Sequence, residues 1–419
     1  MKAGWADASR WARSGVMALG GWPEGPPVLP PTGLPDRLDA LVDEIECRTA
    51  ERGHPVRVSW AAMLSGRAGL LDLGRRGRTS PNGTCRLLRA ADGWVALNLA
   101  RADDVTLVPA LTGVTSTDPW DNAARAAART AGAEFVTRAR LLGLAAAPLP
   151  EPSPPIEADA CTIVDRSGRR TDGDGESWQV VDLSSLWAGP VAARVLAAAG
   201  AAVIKVESSS RPDGARATPA FYRWVHSEDD VTVTVDLASE AGRERVAALI
   251  DGADVVIEGS RPRALEQLGL GPADRPGRAG QVWLSITGYG RDEPGRDSVA
   301  FGDDAAVAGG LVGWDEAGEP VFCGDAIADP LTGLAGALAV LRARDTGGGQ
   351  LIDLAMARMA AAMADGLGPP PAGQADQGVA VVADGTGGWQ VRAGDTVEAV
   401  RAGPPSLEWV SAGGRSRLQ

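Results

Sequence analysis

The sequence predicts an α/β fold, a doubly wound and mostly parallel sheet preceded by a small α+β domain. Three observations predict it. From residue 178 to 365, short apolar runs alternate with amphipathic helical runs. The apolar runs lack the polar alternation of a half-solvated strand, as strands covered on both faces do. A stretch rich in Pro, Gly and charge, 147–177, sets this alternation apart from a shorter mixed pattern before it.

Residues 1–146 read as the small mixed domain. Within it, 21–35 (GWPEGPPVLPPTGLP) has too much Pro and Gly for a helix or a central strand and forms a surface excursion. Helical spacing of apolar residues marks 35–50, 120–131 and 133–142, and a strand at 95–99 follows the turn Ala91-Asp92-Gly93. Residues 147–177 bury too little apolar surface to order themselves and read as an interdomain linker. The large domain, 178–365, then gives strands at 179–183, 202–207, 231–236, 255–258, 281–287 and 350–354. Helices fall at 190–199, 240–250, 262–268 and 330–344. The segment 366–419 is Gly- and Pro-rich, with weak strand patterns at 379–383 and 396–401 and a fraying end.

Composition excludes several classes. A formal charge of -13, with Lys2 and Lys205 the only lysines, argues against a nucleic-acid or anionic-membrane partner. The four cysteines, Cys47, Cys85, Cys161 and Cys323, make no metal-binding spacing and read as reduced thiols of a cytoplasmic protein. His54 and His226 are too few for a histidine-based metal centre. No apolar run is long enough to span a membrane, and the N-terminus lacks the apolar core of an export signal. A nicotinamide site is also disfavoured, because the turn after the first large-domain strand, SSLWAGP, has Gly189 as its sole glycine.

The most informative stretch is GDAIADPLTGLAGALAVLRARDTGGGQLIDLA, 324–355. Pro330 suits a first helical position, so Asp329 before it reads as an N-cap, held ionised by free N–H groups and the helix dipole. An ionised carboxylate there also meets the requirement of a nucleophile. Asp303, Asp304, Asp325 and Asp353 compete with it as caps, loop acids or strand positions.

Three motifs in order, WQVVDLSSLWAGPVAARVLAAAGAAVIKVES, then VTVTVDLASEAGRERVAALIDGADVVIEGSRPRALEQLGL, then Asp329, Thr332 and Gly333 as Asp-x-x-Thr-Gly, resemble the family III CoA-transferases. The run SPNGTCRLLRAADGWVALNLARADD and the later FVTRARLLGLAAAP resemble that family's small domain, here ahead of the large one rather than after it. A truncated tandem copy or a rearranged single unit would give this order.

The resemblance implies a function. Asp329 would be the nucleophile of a CoA-transferase acting on an acyl-CoA thioester and a carboxylic acid, with no permanently bound cofactor and no metal. Thr332 and Gly333 would support the loop or the oxyanion. Trp187, Ala188 and Gly189 would line the CoA site, and Arg211, Arg216, Arg261 and Arg263 are candidates for its phosphates, Arg216 first among them. Trp187 stands where several members have an amide, and Glu228, Asp229 and Asp230 stand where bases are common. A homodimer or a heterodimer with a related subunit is implied. A catalytically degenerate CoA-ester-binding subunit is the alternative. The α-methylacyl-CoA racemase relatives are a lesser one, since Asp303 and Asp304 occupy the region of their histidine.

Overall fold

The computed structural model describes residues 3–31, 33–115, 118–150, 161–170, 178–364 and 378–412. The first elements are α1 (Ala3–Ser14), α2 (Leu34–Glu51), β1 (Val56–Val58) and α3 (Trp60–Leu71). Next come β2 (Cys85–Arg89), β3 (Trp94–Asn98), α4 (Ala102–Thr112), α5 (Pro119–Ala127), α6 (Gly132–Leu141) and β4 (Ala145–Leu149). Strands β2, β3 and β4 form an antiparallel sheet whose apolar side, with Val95 and Leu97, packs on Val108, Ala123 and Phe135 of α4, α5 and α6. Helices α1, α2 and α3 do not share that core. Trp11, Leu34, Leu38 and Met63 join the main core instead.

The large sheet uses β5 (Cys161–Asp165), β6 (Trp178–Asp182), β7 (Ala201–Ser208), β8 (Val231–Val235), β9 (Val255–Glu258) and β10 (Val282–Thr287). Its helices in this stretch are α7 (Ala188–Ala198), α8 (Pro219–Val225), α9 (Glu240–Gly252) and α10 (Pro262–Glu266). After α11 (Gly302–Ala308) and the short ribbon β11 (Gly313–Trp314) and β12 (Pro320–Val321), the chain enters α12 (Ala328–Asp345), β13 (Gln350–Ala355) and α13 (Met356–Ala364). The strand order is β5-β13-β10-β9-β6-β7-β8, parallel throughout except for the antiparallel edge strand β5.

Register explains the two covered faces. Val181, Val256, Trp283 and Leu351 align across neighbouring strands and pack on Val246 and Ile250 of α9 and Leu265 of α10. Their neighbours Val180, Val255, Val282 and Ile352 point the other way, into the core with Val191 and Val195 of α7 and Leu334 and Leu338 of α12. Each strand is therefore apolar on both sides, as a continuous rather than alternating apolar run predicts.

Part of the expected linker is regular structure. Cys161–Asp165 forms β5, with Ile163 opposite Ile352, because β13 would otherwise leave an open ladder of backbone groups at the sheet edge. Residues 151–160 and 171–177 of that segment lie outside the described residues, as do 365–377 and 413–419 of the tail. The tail's described part forms a meander, β14 (Ala380–Ala383), β15 (Trp389–Ala393) and β16 (Thr396–Ala399), and ends in β17 (Val410–Ala412), paired antiparallel with β1. No described helix is long and apolar enough to cross a membrane.

Candidate active site

Four segments converge at one end of the sheet. These are the turn after β6, the exposed end of α3, and the first turns of α11 and α12. Two of the three described non-glycine residues with positive φ, Leu186 (70°) and Ala326 (42°), sit in the turns that deliver Trp187 and Asp329. Such backbone is costly and persists where its surroundings dictate it. Asp213 holds the first by accepting from Leu186 N–H at 2.9 Å, and Asp303 holds the second by accepting from Ala326 N–H at 2.8 Å.

Asp329 is placed differently from the N-cap expected. Helix α12 begins at Ala328 after Ile327, and the Asp329 side chain makes no cap bond within it. Instead Oδ2 accepts from the Gly302 N–H at 3.2 Å, joining the starts of α11 and α12. The residue as a whole is half-buried. Burial, opposed by Arg67 and reinforced by Asp303 and Asp304, pushes it up to about 7 rather than leaving it fully ionised at neutral pH.

Its acidic neighbours are engaged. Asp303 accepts from Asn82 at 3.0 Å as well as from Ala326, and burial raises it to about 6. Asp304 Oδ1 accepts from Asn98 Nδ2 at 2.9 Å and from Phe301 N–H at 3.0 Å, and burial raises it to about 7. Asp325, with a fully buried side chain, is clasped by Arg67 Nη1 at 2.7 Å to each oxygen. Asp353 belongs to the β10–β13 junction, accepting from Thr287 at 3.2 Å and from Arg291 N–H at 2.9 Å.

Trp187, buried, meets Phe221 and Trp224 edge-on at 5.6 and 6.2 Å, and the Arg67 guanidinium lies 5.3 Å over its ring. Ala188 and Gly189 open α7, and a side chain at Gly189 would collide with Ser184. Thr332 bonds within α12, and Gly333 lets α7 pack closely on it. Thr332 Oγ1 donates to Ala328 O at 2.6 Å, and a Cβ on Gly333 would stand 2.5 Å from Ala188 O.

The candidate phosphate ligands divide. Arg211, Arg261 and Arg263 line one pocket of about 520 Å³, joined by Arg101 and Arg140 from the small sheet's side. Burial lowers the Arg261 pKa, the cations Arg263, Arg101 and Arg211 lower it further, and Asp297 opposes them. Arg216 is outside that lining. Its Nε and Nη2 grip Glu207 at 2.7–3.0 Å, and Nη2 also reaches Tyr222 at 2.8 Å. Although burial raises Glu207, Arg216 and the other donors hold it at about 2.

Sequence reasoning missed Arg67, Arg101 and Arg140. Arg67 carried a usable signal, since it is the one charged residue in WAAMLSGRAGLL, the whole of α3. Arg101 and Arg140 carried none, being arginines in ordinary amphipathic surroundings.

Residues 176–378 match the model of CoA-transferase family III, so the likeness to that family read from the motifs holds for this segment. An acyl-CoA transferase of Fusarium pseudograminearum is 32% identical over 42% of this chain and 44% of its own length. A succinyl-CoA–D-citramalate CoA-transferase of Chloroflexus aurantiacus is 28% identical over 42% and 47%. A succinyl-CoA–L-malate CoA-transferase alpha subunit from Chloroflexus aurantiacus is 32% identical over 46% and 48%. The chain thus spans less than half the length of these relatives. A solved structure of a CAIB/BAIF family protein from Brucella suis is 28% identical, covers 52% of this chain and 65% of that one, and has a TM-score of 0.45.

Proposed function

We propose that the protein is a CoA-transferase that moves CoA between an acyl-CoA thioester and a carboxylic acid, with Asp329 as the covalent carrier. The observation that carries this reading is the contrast among the clustered carboxylates. Asp303, Asp304 and Asp325 are buried and bonded, whereas Asp329 is less buried than they are and only its Oδ2 has a partner among the described residues.

The chemistry balances without water or a redox partner. An Asp329 oxygen attacks the thioester carbon, the C–S bond breaks, and CoA thiolate leaves a mixed anhydride. The thiolate attacks the Asp329 carbonyl carbon, releasing the first acid and forming an aspartyl-CoA thioester. The acceptor carboxylate then repeats the two exchanges in reverse, and Asp329 is restored as a carboxylate. The thioester's free energy is kept in a covalent bond throughout.

The pocket formed by Arg101, Arg140, Arg211, Arg261 and Arg263 suits the phosphates of CoA, since guanidinium groups bind phosphate bidentately. Exposed Leu141 at its edge would face the apolar parts of the ligand. A two-base racemase has weaker support, because both Asp303 oxygens already accept hydrogen bonds. We further propose a cytoplasmic location and assembly as a homodimer or with a related subunit. The division into a small domain 1–146, a linker 147–177 and a large domain 178–365 belongs to the same reading, with a separate small core between Leu88 and Ala146.

The test is incubation with a panel of acyl-CoAs followed by hydroxylamine or borohydride and peptide mass analysis. Modification at Asp329 alone supports the carrier. No adduct with any donor, together with retained CoA-ester binding, would make the protein a degenerate binding subunit.

A further inference from the structure

Arg67 lies on α3, in the part of the chain before the family-matched segment, yet its charge acts on Asp303, Asp325 and Asp329. Only Nη1 is used, bridging both oxygens of Asp325 at 2.7 Å. Nε and Nη2 make no hydrogen bond among the described residues, although the side chain is only 17% exposed. The guanidinium is fixed as well as spare. Phe221 and Trp187 lie 5.2 and 5.3 Å from it, and Asp325 anchors its far corner.

A second donor is unused beside it. Trp187 is 2% exposed and its Nε1–H is buried with no acceptor among the described residues, a rare state for a buried donor in a finished core. Three donor nitrogens without hydrogen-bond partners among the described residues thus gather near the carboxylates Asp303, Asp304 and Asp329. An acid substrate enters such a region as an anion and is repelled by every group there except one.

Resting on the transferase reading above, we propose that Arg67 receives the reacting carboxylate of the acid substrate through Nε and Nη2, with Trp187 Nε1 as an auxiliary donor, and so positions it against Asp329. The parallel N–H pair is the edge of guanidinium that matches a carboxylate. Asp325 is then a positioning residue, which presents that edge by occupying Nη1. A lysine would supply the charge without the fork.

Direct binding tests this without catalysis. Propionate and succinate are titrated by calorimetry into the full-length protein and into Arg67→Lys, Arg67→Gln and the charge-balanced pair Arg67→Gln/Asp325→Asn, with folding followed by circular dichroism. Removing a charge-assisted pair is expected to weaken both acids by about tenfold or more, with Lys intermediate. In turnover, the acceptor KM should rise while the acyl-CoA KM stays within about twofold. The balanced pair keeps the test valid if Arg67→Gln alone fails to fold.

Equal binding of both acids by wild type and the balanced pair, or no binding by wild type, overturns the proposal. A loss confined to succinate overturns it too, because Arg67 would then hold a remote carboxylate. If the acids bind through Arg67 but no donor ever modifies Asp329, the carrier reading fails while the carboxylate site stands.

Discussion

The Gly302 N–H reaches Asp329 Oδ2 at 3.2 Å because Gly302 has no side chain, for a Cβ there would stand 2.5 Å from the same oxygen and clash with Ala326 O. Gly302→Ala must therefore displace the carboxylate or tilt α11. Overpacking of this kind costs about 1–3 kcal/mol, and we expect a lowered Tm together with a fall in kcat. Unchanged thermal unfolding and turnover would show that the two helix starts are not coupled as described.

Asp329→Asn keeps an oxygen for Gly302 N–H but cannot form the anhydride. CoA transfer should fall about a thousandfold or more while the far-UV spectrum and Tm stay near wild type. Turnover within about tenfold of wild type would remove Asp329 from the carrier role.

Burial sets a pH profile. With the Asp329 carboxyl pushed up to about 7, the nucleophilic form grows as pH rises through that value. kcat/KM for acyl-CoA should climb about tenfold per unit below it and level off above about pH 8. A flat profile between pH 5.5 and 8 would mean that Asp329 is fully ionised in the free protein.

The same burial acts on stability with a definite sign. Asp303 and Asp304 are raised to about 6 and about 7, above an unfolded carboxyl near 4, so the folded state holds protons that the unfolded chain has lost. Their stabilising contribution is complete below about pH 4 and is lost as pH rises through the folded values. Asp304→Asn can keep both acceptances at one oxygen and places an amide where Oδ2 has no partner among the described residues. It should raise Tm at pH 8 and flatten the decline between pH 4 and 7, measured by calorimetry at fixed ionic strength.

The arginines should separate kinetically. Arg261→Gln with Arg263→Gln is expected to raise the acyl-CoA KM by about tenfold, whereas Arg216→Ala should mainly lower stability by leaving the buried Glu207 without its cation. A large KM effect from Arg216→Ala alone would return the phosphate site to that loop.

The sheet was legible because its strands carry unbroken apolar runs and its helices carry caps and period. The strand read at 255–258 is β9, Val255–Glu258, and the helix read at 330–344 lies within α12, Ala328–Asp345. Helices α3 and α11 were missed, since WAAMLSGRAGLL is apolar all round and GDDAAVA is short and begins with Gly and two acids. The Asp329 motif was visible, but its protonation was not. A cap position implies stabilised charge, and only packing shows that Gly302 of another helix, rather than its own helix, supplies the bond. Arg216 misled for the same reason, since its partner Glu207 was visible in the sequence but their contact was not.

Arg67 and Asp325 are separated by 258 residues, and this spacing governs how the protein can be taken apart. During synthesis Arg67 leaves the ribosome long before the carboxylate it will neutralise, so the centre closes only when most of the chain exists. The segment 176–378 produced alone would lack the guanidinium that clasps Asp325, and breaking a buried pair by removing one partner costs about 3–5 kcal/mol. The family-matched stretch thus lacks the cation that pairs with Asp325. A split protein would regain activity only when the fragment bearing α3 is supplied in trans.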